Sequence, residues 1–319
     1  MTGPDSRWHG RDGRALAAEA IRRLAEAADL GSLGLGESQG RVDLRGLPAS
    51  AAQMGGPAEV LEFRNVRLTG LDLAGASLSG WRLYDSVVQD CRLDAADCQD
   101  WRLWRSSVVD CRFATAMLRG AAVGTLVEGV ANTWRNVDFS RADFRVGASL
   151  GARYVGCDFS DADLSGVRFD QCEFVRCTFA GHLRDVRFDG RGADGRPPTP
   201  PPEELDFRNA HFDEVEFVGL DLTEVALPLD PDLRIIRRYR CSVTQALDLL
   251  AHQDTAPARV LRTILDNRLR QLQDGVATAD TGLVNLRDLK AIGGPTVAAL
   301  ADEVLRRAEA ACLTDGPAS

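Results

Sequence analysis

The groups in this chain best equipped for chemistry are eight cysteines, four histidines and a dense set of aspartates. Spacings such as Cys91/Cys98 and Cys172/Cys177 would suit a thiolate metal site, because cysteine sulfur is a natural zinc ligand. The histidines His9, His182, His211 and His252 stand in no metal-binding spacing. There is no phosphate-binding G-x-x-x-x-G-K-[ST] segment and no H-E-x-x-H. The glycines of "GSLGLGESQG" lack the strand and lysine that a phosphate cradle requires, so this stretch reads as a linker. Paired aspartates such as Asp161/Asp163 could do acid–base work, but they recur at regular corners, which favours a solvated face. The segment "RIIRRYR" (234–240) is basic enough to touch nucleic acid. Residues 228–319, however, hold twelve acids against twelve bases. The better reading is a helix whose arginines meet an acidic neighbour.

What positions these groups is a beat of five. From Phe63, every fifth residue is apolar: Phe63, Leu68, Leu73, Leu78, Leu83, Val88, Leu93, Cys98, Leu103, Val108, Phe113, Leu118 and Val123. Two residues before most of these lies a second position that is often small, such as Ala76, Ser86, Cys91, Ser106 and Cys111. The beat breaks at "GTLVEGVANT", resumes one residue out of phase from Trp134 to Phe179, and slips again at Leu183 and Phe188. It returns at Phe207, Phe212, Phe217, Leu222 and Leu227. A longer period of twenty runs through it: "WRLY" at 81–84 returns as "WRLW" at 101–104, and "DCR" at 90–92 returns at 110–112. Five fits neither the 3.6 of a helix nor the 2 of a flat strand. It fits a coil with four short sides, whose central residues point inward and whose turns stack like sheet rungs about 4.8 Å apart. Thirty central positions give a rod of roughly 36 Å. On this coil the cysteines at 91, 98, 111, 157, 172 and 177 fall on inward positions, where they are small core residues. Cys157 and Cys177 should stack, close enough to bond under oxidation.

The segments "LDLAG" (71–75), "ADFRV" (142–146), "CDFSD" (157–161) and "ADLSG" (162–166) resemble the unit of the pentapeptide-repeat family. The resemblance spans roughly residues 60–227 and implies a mainly β fold, a right-handed quadrilateral β-helix. We divide the chain into an N-terminal helix and linker (1–59), the coil (60–227, interrupted near 124–133 and 189–205) and an α-helical C-terminal region (228–319). The first helix is expected at 13–30, with "RVDLRGL" (41–47) as a first, imperfect turn. The proline-rich "GRGADGRPPTPPPEEL" is too polar and too proline-rich for helix or strand, and is expected to be mobile. Three tail helices are expected. The first should cap the coil by setting Arg234, Arg237 and Arg238 against its acidic end. Stripes such as Leu247, Leu250, Leu261, Ile264, Leu265 and Leu269 need cover, and a second copy is a candidate to supply it.

No run of eighteen apolar residues suggests a membrane span, and no apolar leader opens the sequence, so a cytoplasmic, reduced protein is expected. A net charge of −9 disfavours nonspecific binding to nucleic acid or anionic lipid. No enzyme motif and no cofactor is read. The expected function is a non-enzymatic protein–protein interaction scaffold of unknown partner. The family resemblance implies an alternative, since one branch mimics DNA and inhibits type II topoisomerases such as DNA gyrase. Its members carry loops comparable to the two interruptions. The most acidic stretch is the candidate interaction surface: Glu203, Glu204, Asp206, Asp213, Glu214, Glu216, Asp221 and Glu224, against Arg208 alone.

Overall fold

The computed structural model describes residues 4–50, 60–192, 195–273 and 280–314. The five-residue beat becomes four flat sides because the residue two after each inward centre turns the chain through left-handed backbone. Asn65, Asp85, Asp90, Asp100 and Asp110 all take φ between 51° and 55° at these corners. Short polar side chains and glycine tolerate that region best, which is why they dominate the corner position.

Stacking follows the twenty-residue period. One side is an eight-stranded parallel sheet and the next a six-stranded one; the other two sides are joined by single parallel bridges. The inward column of the first sheet runs Phe63, Leu83, Leu103 and onward to Phe169, Phe188 and Phe217. On the third side Phe139, Phe159, Phe179 and Phe207 are fully buried, with successive rings stacked 4.6–4.9 Å apart. Trp81 and Trp101 enter from the small-residue position, stack 5.6 Å apart, and donate to Ala49 O and Leu78 O. Where the small position is serine, cysteine or asparagine, it forms polar ladders. Ser86 N donates to Ser106 Oγ, Ser106 N donates to Asn132 Oδ1, and Cys91 N donates to Cys111 Sγ. A small polar atom there supplies the bond that a buried corner amide needs.

The two long breaks in the beat are insertions into single turns, while the slip at Leu183 and Phe188 shortens one turn by a residue, so that Phe169 pairs with Phe188. Ser107 pairs with Thr133 rather than with a residue twenty further on, and the extra residues form a turn closed by Val127 and Val130. His182 pairs with His211, so the proline segment is an excursion from one side of the coil.

Both ends are covered. The first helix, α1 (Gly10–Ala25), starts and stops earlier than the sequence suggested, and buries Ala17, Ala20, Ile21 and Leu24 against the coil's first end. The imperfect turn is present: Arg41–Asp43 pairs in parallel with Leu71–Asp72, and Leu44, Leu47 and Ala49 are buried above it. Asp43 holds this cap together between Arg7 and Arg45. Hydrogen bonds from Arg45, with Arg7 beside it, hold its carboxyl well below the ordinary range despite burial.

The far end departs from expectation. "RIIRR" is not helical. Leu233–Arg237 is a strand, paired antiparallel with Thr281–Asn285. The adjacent isoleucines are β-branched, and pairing sets alternate residues on opposite faces. One face sends Leu283 into the coil's core, with Leu233 beside it; the other packs Ile236 and Val284 on the tail helices. Thr281 Oγ1 donates to Leu220 O and accepts from Leu222 N, while Asn285 Nδ2 donates to Phe212 O. This ribbon, not a helix, closes the last turn. Arg234 pairs with Asp302, the backbone of Arg237 donates to Glu309, and Arg238 donates to Cys312 O, so these groups serve the last helix rather than the coil's acids.

Helices α2 (Tyr239–Ala251), α3 (Ala256–Gln273) and α4 (Leu286–Thr314) follow; α4 breaks at Gly294, whose φ is 82°, just before Pro295. Their stripes cover one another: Leu250, Leu261 and Leu265 are buried in one cluster with Leu247, Ile264 and Leu269 packed against it. A disulfide joins Cys241 to Cys312, against the all-reduced reading, whereas Cys157 and Cys177 remain separate thiols. The proline segment is also packed rather than loose. Arg191 is bound to Asp189 and to Gln271 O of α3, and Gly192, Thr199 and Pro202 are buried.

Candidate functional site

The acids chosen from sequence do not form one patch. They encircle the last turns as a belt. Glu203 lies on the second side, where it bridges Val175. Asp206 lies on the third side, held by Arg208, and its carboxyl is lowered chiefly by that hydrogen bond. Glu204, Asp206 and Glu224 line a shallow cleft of about 370 Å³ with Arg176, Thr178 and Arg208. Asp221 caps Thr223. On the far side Asp213 meets Arg184 and His182, Glu216 lies 3.8 Å from Arg187, and Glu214 donates its backbone N–H to Asp288. Among the described residues Glu203, Glu204, Glu214, Asp221 and Glu224 have no ion-pair partner, so their charge is available to a visitor.

The charge is polarised along the rod. Residues 60–123 carry eight acids and eight bases; residues 124–227 carry nineteen acids and eleven bases. In the neutral half, opposite charges stack between turns. Arg92 bridges Asp72 and Asp94, Arg112 reaches Asp94 and Asp138, and Arg105 pairs with Asp85. Tyr84 and Trp104 lie face to face at 4.4 Å on the outside, with Arg64 over the tyrosine. In the acidic half the columns also place like charges together, Asp138 over Asp158 and Asp143 over Asp163, with Arg145 bridging the latter two and Arg153 pairing with Glu173.

The cysteines are core residues in the structure. All six unpaired thiols are buried, and burial pushes those of Cys98, Cys157 and Cys172 up, Cys172 to about 12. Such thiols are poor nucleophiles and poor ligands. Among the described residues no three His, Cys, Asp or Glu side chains converge as a cation site.

The sequence also contains a G-x-S-x-G segment, residues 147–151, centred on Ser149. Its hydroxyl is buried inside the coil, 2.8 Å from Tyr154 Oη and 3.2 Å from Cys172 Sγ. Burial raises the tyrosine well above its ordinary value, so neither neighbour is a base that could activate the serine. It fills an inward rung. One feature that composition could have flagged is the proline segment, which delivers Glu203 and Glu204 to the belt.

Residues 151–181 match the family model for pentapeptide repeats, with eight copies. No curated protein matches. Among solved structures, a trypsin-treated variant of QnrB1, a plasmid-mediated fluoroquinolone resistance protein, is 19% identical, covering 53% of this chain and 80% of that one, with a TM-score of 0.25. HetL, a pentapeptide repeat protein involved in heterocyst differentiation regulation from the cyanobacterium Nostoc sp. strain PCC 7120, is 17% identical over 66% and 90%, with a TM-score of 0.25. Rfr23, from the cyanobacterium Cyanothece 51142, is 12% identical over 52% and 90%, with a TM-score of 0.21.

Proposed function

From the premise that this is a pentapeptide-repeat protein, we propose that it acts as a non-enzymatic interaction scaffold whose binding end is the acidic half of the coil. The observation that carries this reading is the axial polarity of charge: a neutral, internally paired half followed by a half with a net charge of −8 whose last turn keeps carboxylates without ion-pair partners among the described residues. Such an end steers and orients a protein partner with a basic surface.

Duplex DNA carries about one charge per 1.7 Å of axis, or roughly twenty over a rod of this length. The neutral half and the arginines interleaved among the carboxylates fall well short of that density, which ranks DNA mimicry second. The deciding experiment has two arms. Cross-linking in producing cells should capture a protein, and Glu203→Lys with Glu204→Lys and Glu224→Lys should abolish capture without lowering Tm. Purified protein should leave supercoiling by DNA gyrase unchanged at micromolar concentration; inhibition would replace the scaffold with the mimic.

A further inference from the structure

The proline segment is more than a connection. Residues 196–202 read Arg-Pro-Pro-Thr-Pro-Pro-Pro. Proline fixes φ near −65°, and a residue before proline is driven to extended backbone. Arg196, Pro197, Thr199, Pro200 and Pro201 each precede a proline, so the sequence itself biases the stretch to polyproline II geometry. The burial follows its three-residue turn. Thr199 and Pro202 are buried, whereas Pro200 and Pro201 are exposed, with Pro197 exposed and Pro198 half-buried ahead of them. One edge of the helix lies on the coil and two edges face outward.

The strap is anchored at both ends. Thr199 N donates to Gly190 O at 2.9 Å. Glu203 N donates to Phe174 O, and Glu203 O accepts from Arg176 N, which makes this residue the next rung of the six-stranded side, beside Val175. The ordering cost that a free peptide meets on binding is therefore already met by the fold.

We propose that this strap is a preformed ligand for an aromatic-lined, proline-reading groove of a partner protein, with basic residues at the groove's end. A groove of this kind contacts two of the three edges of a polyproline helix and leaves the third away from it. Here the third edge is the one already buried. Pro197–Pro198 and Pro200–Pro201 form two successive dipeptides one turn apart, and the exposed Glu203 and Glu204 follow directly, where the strap joins the coil and turns its corner at Glu204 (φ 48°). Those two carboxylates lack ion-pair partners among the described residues, so the groove's matching position is cationic. The inference deepens the scaffold reading and rests on it: it names the class of partner and the part of the acidic end that the partner reads.

The test uses the full chain against a panel of purified SH3 and WW domains, as aromatic-groove probes, with binding read by biolayer interferometry. At least one domain should bind. Pro198→Ala with Pro201→Ala should weaken binding about tenfold or more, and Glu203→Gln with Glu204→Gln should flatten its salt dependence. Both variants should keep the parent Tm within a few degrees, since Pro201, Glu203 and Glu204 are exposed and Pro198 is only half-buried. Absence of binding across the panel, or binding that survives the proline substitutions, overturns the inference. Should the cross-linked partner be lost with the lysine substitutions yet retained with the proline ones, the strap fails while the scaffold stands. Should neither set affect capture, the scaffold reading itself fails.

Discussion

Phe159 tests the idea that the inward columns hold the coil up. Its ring is fully buried, stacked on Phe139 at 4.9 Å and on Phe179 at 4.6 Å, with Tyr154 and Phe169 set edge-on at 5.6 and 6.0 Å. Truncation to alanine in a core costs about 3–5 kcal/mol. The upper half applies here, because the neighbouring rings are fixed by sheet rungs above and below and cannot collapse into the space. At about 2–4 °C per kcal/mol for a domain of this size, Phe159→Ala should lower Tm by roughly 8–20 °C. Arg168, one residue before a column centre, faces solvent, and Arg168→Ala should cost less than about 0.5 kcal/mol. Thermal unfolding followed by far-ultraviolet circular dichroism compares the two. Losses of equal size would mean that the columns do not carry the stability, and the phasing of the five-residue beat would fall with them.

Val146 turns a corner at φ 53° while 69% exposed, so a β-branched residue sits in left-handed backbone with little packing to compensate. Val146→Gly should raise stability by about 0.5–1 kcal/mol in the same melt. The depressed Asp43 carboxyl contributes stability that is complete above the unfolded value near 3.9 and is lost as pH falls toward its folded value. Asp43→Asn should therefore destabilise at pH 7 by roughly 1–3 kcal/mol and flatten the decline seen on titrating unfolding midpoints from pH 5 to pH 2. The Cys241–Cys312 bond closes a 71-residue separation, and a cross-link of this kind is typically worth about 2–4 kcal/mol. Thiol titration in denaturant should count six groups before reduction and eight after, and reductant should loosen protease resistance of the tail while sparing the coil.

The coil was legible because its rule is local. A centre every five residues and a corner residue that tolerates left-handed backbone can be read along the chain. The twenty-residue echo then gives the stacking without knowledge of any distant contact. The short turn "RVDLRGL" could be read for the same reason. The tail obeys no such rule. Its ribbon pairs Ile235 with Leu283 across almost fifty residues. Nothing in "RIIRR" announces a partner that distant, so helical neighbours pulled the reading toward helix. The arginines followed the same error: placed on a helix they would face the coil, but on a strand they reach the last helix. The strap departs from its expectation for another reason. Its composition excludes helix and strand correctly, but polyproline needs no internal hydrogen bond to be ordered, and buried Thr199 supplies the anchor that composition does not show. The belt was legible as charge and not as shape, because net charge along a coil says nothing of which side each residue occupies.

The inside of the rod is close to uniform, and that uniformity bears on function. Inward positions are constrained at every rung to fill the same cross-section, so they can differ little between one partner and another. The outward positions are free of that demand and must carry whatever specificity exists. Along this chain they are spent in two ways. In the first half, Arg92, Arg105 and Arg112 neutralise carboxylates on adjacent turns, and Tyr84 and Trp104 cover each other's faces. Such a surface satisfies itself and offers a visitor little unmet charge. In the last turns the carboxylates of Glu203, Glu204 and Glu224 have no ion-pair partner among the described residues, beside a strap with two outward edges. Unpaired carboxylates repel one another and contribute nothing to folding that a neutral side chain would not. A fold that keeps them together at one end of a rigid rod, next to a ligand-shaped segment already held in place, has its unmet interactions concentrated there, and a partner is what would meet them.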